Sequence, residues 1–363
     1  MSASNPMRFL EKGGVDLELG LEMFFGLVWE AFHPRTLLWN AVEGGGVGAG
    51  SMPPSIVAGK VVDSGKSWQH LIFSQDGNPE SHTPGTDIIG HTFEIDEGSV
   101  TIDDILVAAY EIPIDHVLHS HIDVLGPVAI RAARELATNF DKRGMIMGVK
   151  AALTAALTKN GSTMHNGGNL VKRVSTTEAL AYPATPTGAK NFRDDVENLA
   201  YLMNIDNVPA EERYLLYTAH IARVLQQDTT IFDIRYTRDQ MNSLNSAVIA
   251  EISGFKVVAP FTNHIPQAAI TSASLVSSGT LPSKYQGDFT YDNDGLPVAL
   301  AFCGAADAPA LGYVAAGTEQ LRPIHAYMEF DERKNVWFLK AQMMCGWNVI
   351  NPTSAGMIYV DDA

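Results

Sequence analysis

The most enzyme-like side chains in this sequence are the pair His119 and His121, with Asp123 two residues further on. A His-X-His pair on a strand points both imidazoles to one side, and metal-dependent hydrolases hold zinc in this way. Here the pair lies where a predicted strand gives way to a helix, and Asp123 is better explained as the cap of that helix. The candidate later ligands, His165 and His220, lie in no supporting pattern. We therefore predict no metal, no cofactor and no catalytic residues, and keep a metal-dependent hydrolase using His119 and His121 as an alternative.

Two glycine-containing segments imitate nucleotide-binding loops. Gly65-Lys66-Ser67 matches the end of a phosphate-binding loop, but that loop needs glycine five residues before the Gly-Lys pair, where Lys60 stands. A helix must also follow such a loop, whereas Trp68–Ser74 is predicted as a strand. The run Gly44–Gly50 follows a helix instead of a strand, and Pro53-Pro54 prevents a new helix from starting promptly. We predict a hinge at this run and no nucleotide site.

The charge of the chain limits its partners. Its 363 residues carry a formal net charge of −16. Such an acidic surface repels nucleic acid, because binding nucleic acid requires clustered Lys and Arg. The densest basic cluster, Arg322–Lys340, is interleaved with acidic residues. Direct nucleic-acid recognition is therefore not expected, while an acidic wall that encloses DNA without adhering to it is compatible with the charge.

The composition, 46% apolar and 18% charged, is that of an ordinary globular protein. The length of 363 residues predicts more than one domain. The sequence contains no stretch of 18 apolar residues, so we predict no membrane span. The segment Met1–Arg8 lacks the pattern of a secretory signal, so we expect folding inside the cell. Cys303 and Cys345 lie in apolar neighbourhoods and are expected to be buried thiols, with a disulfide as the other interpretation.

One helix of unusual length dominates the predicted elements. It is expected from Val124 to Lys159, about 54 Å, with Asp123 as its cap, Pro127 in its first turn and Asn160-Gly161 at its end. Apolar side chains recur along it at steps of three or four and form one stripe that faces a partner layer: Leu125, Val128, Ala132, Leu136 and Phe140.

A long hairpin precedes this helix. Trp68–Ser74 and Ile89–Ile95 are predicted as its strands, and Gln75–Asp87 between them is a polar tip rich in turn residues. A further β segment, Ser99–Ile112, leads to the helix. Because the tip is too polar to be buried, we expect the hairpin to project from the body.

Apolar side chains on the hairpin have two interpretations. They pack on their own subunit, or they dock onto the spine helix and sheet of a neighbouring copy, and we favour docking because an isolated two-stranded arm is marginal in water. The residues are Trp68, Phe73, Phe93 and Ile95.

The remaining elements mix helices and strands without regular alternation, which favours an α+β fold. An amphipathic helix, Leu19–Phe32, carries Phe25 and Phe32 on its apolar side. The other predicted elements are helices Asn191–Met203 and Ala219–Gln227, a buried strand ending at Tyr217, and strands Gly254–Val258, His325–Phe330, Val336–Gln342 and Met357–Val360.

Several short strings, in this order along the chain, resemble the major capsid protein of short-tailed bacteriophages, whose fold is shared by tailed phages, herpesvirus capsids and encapsulins. The resemblance covers about residues 15–361. The strings are Ser64-Gly65-Lys66-Ser67, Ser99–Asp103, Tyr110-Glu111-Ile112, Val208-Pro209-Ala210 with Arg213, and Gly254–Val258 ahead of Asn263.

The resemblance implies a sequence of structural parts. They are an N-terminal arm (1–60), an extended loop (61–98), a peripheral strand and spine helix (99–160), an apical domain (161–320), peripheral return strands (321–348) and a C-terminal strand returning to the apical domain (349–363).

The resemblance also implies a structural, non-enzymatic function. The chain would assemble as hexamers and pentamers into an icosahedral shell around double-stranded DNA, with a scaffolding protein, a portal protein and a decoration or cement protein as partners. It would form the virion capsid after assembly in the host cytoplasm. An encapsulin-like non-viral shell is the alternative within this fold. The residues expected at the assembly interface are Lys66, Trp68, Phe73, Phe93, Ile95, Phe25 and Phe32.

Overall fold

The fold is α+β in the computed structural model of the chain. The described residues are 14–32, 36, 38, 57–62, 65–74, 82, 87, 94–113, 125–210, 213–227, 251–257, 264–276, 279–303, 309–317 and 324–362. Their helices are α1 (Gly14–Phe32), α2 (Leu125–Leu153), α3 (Glu178–Ala181), α4 (Pro186–Ile205) and α5 (Ala219–Leu225).

The strands fall into two large sheets and three small pairs. The five-stranded peripheral sheet contains β1 (Val57–Val62), β4 (Asp104–Pro113), β14 (Leu311–Ala316), β15 (Ile324–Asp331) and β16 (Val336–Val349). The six-stranded apical sheet contains β7 (Asn169–Val174), β8 (Arg213–Tyr217), β9 (Glu251–Ile252), β10 (Phe255–Val257), β13 (Leu296–Cys303) and β17 (Ala355–Asp361). The small pairs are β2 (Ser67–Phe73) with β3 (Ile95–Thr101), β5 (Leu157–Lys159) with β6 (Ser162–His165), and β11 (Ala269–Ile270) with β12 (Gly287–Asp288).

Helix α2 is the predicted spine helix, and its C-terminal end differs from the prediction. Ala132, Leu136 and Phe140 of the apolar stripe are buried. The helix ends at Leu153, so the predicted end at Lys159 is wrong. Asn160 (φ 50°) and Gly161 (φ 89°) form the two-residue turn between β5 and β6. The reason is that Asn-Gly suits the left-handed backbone of a hairpin turn as well as that of a helix end.

The peripheral sheet is organised around β16, which continues seven residues past the predicted strand end at Gln342. β4 pairs with one edge of β16, and β15 and β14 pair along the other. β1 adds to β14 in parallel, with Val57 opposite Leu311. The spine helix covers one face of this sheet, where the ring centroid of Phe140 lies 4.7 Å from that of Trp347 and 5.3 Å from that of Tyr313.

Helix α1 belongs to the same core. Phe24, Val28 and Phe32 are fully buried, and the Phe32 ring lies 6.4 Å from that of Phe140 on the spine helix. The prediction of Phe32 as an assembly residue is therefore corrected, because its side chain is already covered inside the subunit. Phe25 is half-buried and packs against the edge of the same core.

The apical sheet has β13 near its centre, between β17 and β8. All eight residues of β13 are buried. Such a strand shows a continuous apolar run without alternation, which explains why the sequence pattern did not reveal it. The spine helix also reaches this sheet: a Cβ on Gly148 would lie 2.7 Å from the Phe302 ring. The helix therefore packs against both sheets, while the apical sheet forms a second core with α4 and α5.

Candidate assembly surfaces

The first predicted hairpin strand is present, and it pairs with β3 (Ile95–Thr101) and not with the predicted segment Ile89–Ile95, which is therefore wrong as the second strand. We call the pair β2 and β3 the ribbon. Ser67 pairs with Thr101 at its base and Phe73 pairs with Ile95 at its distal end. The second strand thus begins at Ile95, where the predicted second strand was expected to end. Of the predicted segment Ile89–Ile95, only residues 94 and 95 lie within the described residues. The predicted β segment Ser99–Ile112 is divided between β3 and β4, with a break at residues 102 and 103.

The two faces of the ribbon differ in exposure. On its outer face Leu71, Phe73 and Ile95 are 56%, 53% and 44% exposed. These three lie at the distal end, whereas the outer face near the base carries Ser67 and Gln69 and is polar. Half-exposed aromatic and aliphatic side chains grouped at one end of an arm are typical of a protein contact surface.

The inner face of the ribbon packs on its own subunit at the base. Trp68 is half-buried, and a Cβ on Gly312 of β14 would lie 3.1 Å from its indole ring. The side-chain amide of Asn348 on β16 donates a hydrogen bond of 2.7 Å to the Ser99 carbonyl. The structure therefore places Trp68 against the peripheral sheet of its own chain, while Lys66 at the base is exposed.

The distal end of the ribbon is held by the β5–β6 hairpin. The Lys159 ammonium lies 2.8 Å from an Asp96 carboxylate oxygen and donates a hydrogen bond of 3.4 Å to the Ile95 carbonyl. The hydrogen bond from Lys159 is the main cause that lowers the pKa of Asp96, and Asp96 in turn raises the pKa of Lys159. This contact joins residues 63 positions apart.

A cleft of about 540 Å³ lies between the spine helix, the first half of β4 and the residues Leu275, Val276, Gly279 and Thr280. Ile105 and Val107 on β4 are 49% and 52% exposed beside it. Arg134 and Lys142 of the spine helix line the opposite side. The sequence pattern did not reveal this site, because its walls come from three distant segments.

The cleft has a charged floor as well as apolar walls. Buried Arg143 forms an ion pair of 2.7 Å with Asp104, and its guanidinium lies 5.2 Å from the centre of the Tyr285 ring. The Asn139 amide donates to the Leu275 carbonyl at 2.6 Å, which fixes Leu275 beside the helix. The charge of Arg143 is therefore balanced inside the subunit by Asp104.

β4 forms one margin of the cleft. Within the described residues it pairs only with β16, so its other edge is free to accept a further extended segment.

The predicted ligands of the alternative metal site are not brought together in the described part of the chain. His119, His121 and Asp123 lie outside the described residues, as does Phe93. His220 contacts the Tyr182 carbonyl at 2.9 Å through Nε2. Within the described ranges, no group of three or more His, Cys, Asp or Glu side chains is arranged to hold a metal ion.

The two cysteines occupy different surroundings. Cys303 lies in the apical sheet and Cys345 in the peripheral sheet, and both are buried free thiols, so the disulfide interpretation is wrong. Burial raises the pKa of the Cys345 thiol to about 12.

Among the helices that the structure describes, none combines the length and apolar character needed to cross a membrane.

Neither a protein-family model nor a curated protein sequence matches the chain. Solved structures do match. The capsid structure of the cyanophage P-SCSP1u has a TM-score of 0.66 at 23% identity and covers 90% of this chain and 93% of that chain. The asymmetric unit of the mature capsid of bacteriophage PhiM1 has a TM-score of 0.64 at 13% identity and covers 89% and 92%. A structure of Mycobacterium phage Che8 has a TM-score of 0.54 at 14% identity and covers 82% and 85%. This chain therefore has the α+β fold found in bacteriophage capsids.

Proposed function

We propose that this chain is a structural subunit, the major capsid protein of a short-tailed bacteriophage, and not an enzyme. The observation that supports this most directly is the match to two phage capsid structures over about nine-tenths of the chain. A closed symmetric shell uses the same surfaces of every copy. The subunits assemble as hexamers and pentamers into an icosahedral shell that encloses double-stranded DNA.

In this proposal the ribbon of one subunit docks onto the adjacent copy. The ribbon offers the apolar side chains Leu71, Phe73 and Ile95, and the cleft of the neighbour offers the half-exposed Ile105 and Val107. Burial of these surfaces against each other supplies the hydrophobic part of the contact. Phe93, Lys66 and Phe25 remain proposed members of the interface, and Phe93 lies outside the described residues.

Charge complementarity supports the same pairing. Residues 75–94, which connect the ribbon strands, contain four carboxylates and no Lys or Arg. The cleft carries Arg134 and Lys142 on the spine helix, while its two carboxylates, Glu135 and Asp104, are paired with Arg131 and Arg143 of the same subunit. Opposite charges across an interface guide the orientation of docking and exclude wrong partners.

The expected division is kept as part of the proposal: arm 1–60, extended loop 61–98, spine segment 99–160, apical domain 161–320, return strands 321–348 and C-terminal strand 349–363. β14 (Leu311–Ala316) departs from it, because this strand pairs in the peripheral sheet. The last boundary is supported by β16, which stays in the peripheral sheet to Val349, and by β17, which lies in the apical sheet. The arm contains helix α1, whose Phe24, Val28 and Phe32 are buried in the subunit core, whereas Phe25 on the same helix is only half-buried.

Further partners are proposed on the basis of the fold alone. A scaffolding protein guides an immature shell, a portal protein admits DNA, and a decoration protein covers the outside. The net charge of −16 supports a lining that encloses DNA without binding it specifically. Assembly takes place in the host cytoplasm without a membrane, and the product is part of the virion.

Electron microscopy of the purified protein, with and without a scaffolding protein, tests the proposal. We expect closed shells from the wild-type chain and a soluble, unassembled subunit after deletion of residues 75–87. A subunit that stays monomeric under all ionic and crowding conditions and turns over a small molecule would overturn the proposal. Shells filled with a cargo enzyme instead of DNA in the native host would identify an encapsulin-like container.

A further inference from the structure

The ribbon is attached to its own subunit at two levels. At the base, Trp68 packs against Gly312 and the Asn348 amide bonds the Ser99 carbonyl. At the distal end, Lys159 of the β5–β6 hairpin contacts the Asp96 carboxylate and the Ile95 carbonyl. The hairpin itself follows the spine helix, whose Lys150 amine donates to the Lys284 and Gln286 carbonyls. The contact at the distal end therefore links the ribbon, through the β5–β6 hairpin, to the spine helix in the core of the subunit.

We infer that Lys159 and Asp96 are positioning residues that set the angle at which the ribbon leaves the subunit and so prepare its apolar face for docking. This inference rests on the proposed function, because it assigns a role to the ribbon in assembly. Neither residue needs to contact the neighbouring copy itself.

The geometry explains why a weak contact suffices. Asp96 is five residues from the base of a strand that rises about 3.3 Å per residue, so it acts about 17 Å from the base. A rotation of about 10° about the base would displace a ribbon end about 20 Å away by roughly 3 to 4 Å, which is enough to misplace a side chain in a cleft. A contact at this distance therefore restrains orientation more effectively than a contact at the base.

The contact contributes little to folding. Lys159 and Asp96 are 39% and 38% exposed, and exposed ion pairs contribute little to the stability of a fold. An arm that is restrained before it binds loses less conformational entropy on docking, so its association is stronger. An effect on assembly without an effect on subunit unfolding is therefore the signature of positioning.

The test compares Lys159→Met, Asp96→Asn and the charge-swapped double variant D96K/K159D with the wild-type chain. Hydrogen exchange of ribbon amides in the unassembled subunit measures the restraint, and sedimentation measures the concentration at which shells form. For each single variant we expect distal ribbon exchange to rise about two- to fivefold and the assembly concentration to rise by a similar factor, from the usual strength of exposed pairs. The swapped variant restores the ion pair but not the hydrogen bond to the Ile95 carbonyl, so it should recover a large part of both values. The melting temperature should stay within about 2 °C of wild type throughout.

Lys172→Met is the matched control, because Lys172 forms an ion pair of comparable exposure with Asp361 in the apical sheet. It should change neither ribbon exchange nor assembly. Unchanged exchange in both single variants would overturn the inference, as would single-variant defects that the swap does not reduce at all. If the wild-type chain forms no shells, the proposed function fails and the role in assembly fails with it. If wild-type shells form but Lys159→Met and Asp96→Asn assemble normally, only the positioning inference fails.

Discussion

The outer face of the ribbon allows a quantitative test of the docking contact. The perturbation is the double variant L71S/F73S, which replaces two half-exposed apolar side chains with small polar ones. Because these side chains are 56% and 53% exposed in the subunit, their replacement should change the free energy of unfolding only slightly. Any large effect should therefore appear in assembly.

The size of that effect follows from the area still to be buried. Complete burial of a Leu or Phe side chain stabilises by about 1.5–3 kcal/mol. About half of this is left to be gained against a neighbour, so the two residues together contribute about 1.5–3 kcal/mol per docking contact. This corresponds to an increase of about 10- to 150-fold in the protein concentration at which shells form.

Light scattering and sedimentation over a series of protein concentrations measure this threshold, with electron microscopy to identify the product. Leu180→Ser is the control, because Leu180 is 69% exposed on α3 and lies outside the ribbon. Assembly of L71S/F73S at the wild-type concentration, with unchanged subunit melting, would refute the reasoning that this face is an interface. An equal loss in Leu180→Ser would refute its specificity.

Three further predictions concern the subunit itself. Arg213→Met should lower the free energy of unfolding by about 3 kcal/mol, because the buried guanidinium donates hydrogen bonds to the Pro209, Ala200 and Val208 carbonyls and to the Asn204 side chain. Urea titration measures this change, and an unchanged midpoint would contradict the prediction. Gly346→Ala should cost about 2–4 kcal/mol, since its Cβ would lie 1.8 Å from the Thr101 carbonyl oxygen at the base of the ribbon; calorimetry would show a lowered melting temperature. Burial and nearby Lys142 lower the pKa of His264 to about 4, so the unfolded chain binds a proton that the folded chain excludes, and stability should fall as the pH drops from about 6.5 to 4. His264→Gln should flatten this part of the stability profile, and an identical slope in both proteins would disprove the assignment.

Much of the fold was predictable because its signals are local. The spacing of Ala132, Leu136 and Phe140 indicates a helix with one buried stripe, and the charged turn at residues 331–335 separates two alternating strands. The candidate interface was predictable in the same way at Phe73 and Ile95, because apolar side chains beside a polar tip suggest an exposed arm. Their exposure agrees with that expectation, while their role in assembly stays a prediction.

Other features could not be predicted from local signals. Asn160-Gly161 suits a helix end and a hairpin turn equally, so the choice depends on what packs beyond Leu153. β13 carries no alternation because both its faces are covered, and β1 is a strand because Leu311–Ala316 lies beside it. The sequence left two interpretations of Trp68, and the contact of its indole ring with Gly312 of the same chain could not be predicted from it.

The sequence by itself determined the spine helix, helix α1 and the strands on either side of residues 332–335, with their order and apolar faces, since these depend on the period of neighbouring side chains. Only the tertiary structure decided which faces remain open: the cleft beside Ile105 and Val107, and the contact between Lys159 and Asp96 across 63 positions. The physical reason is that burial and ion pairing depend on distances between segments, and strand register and helix packing set those distances.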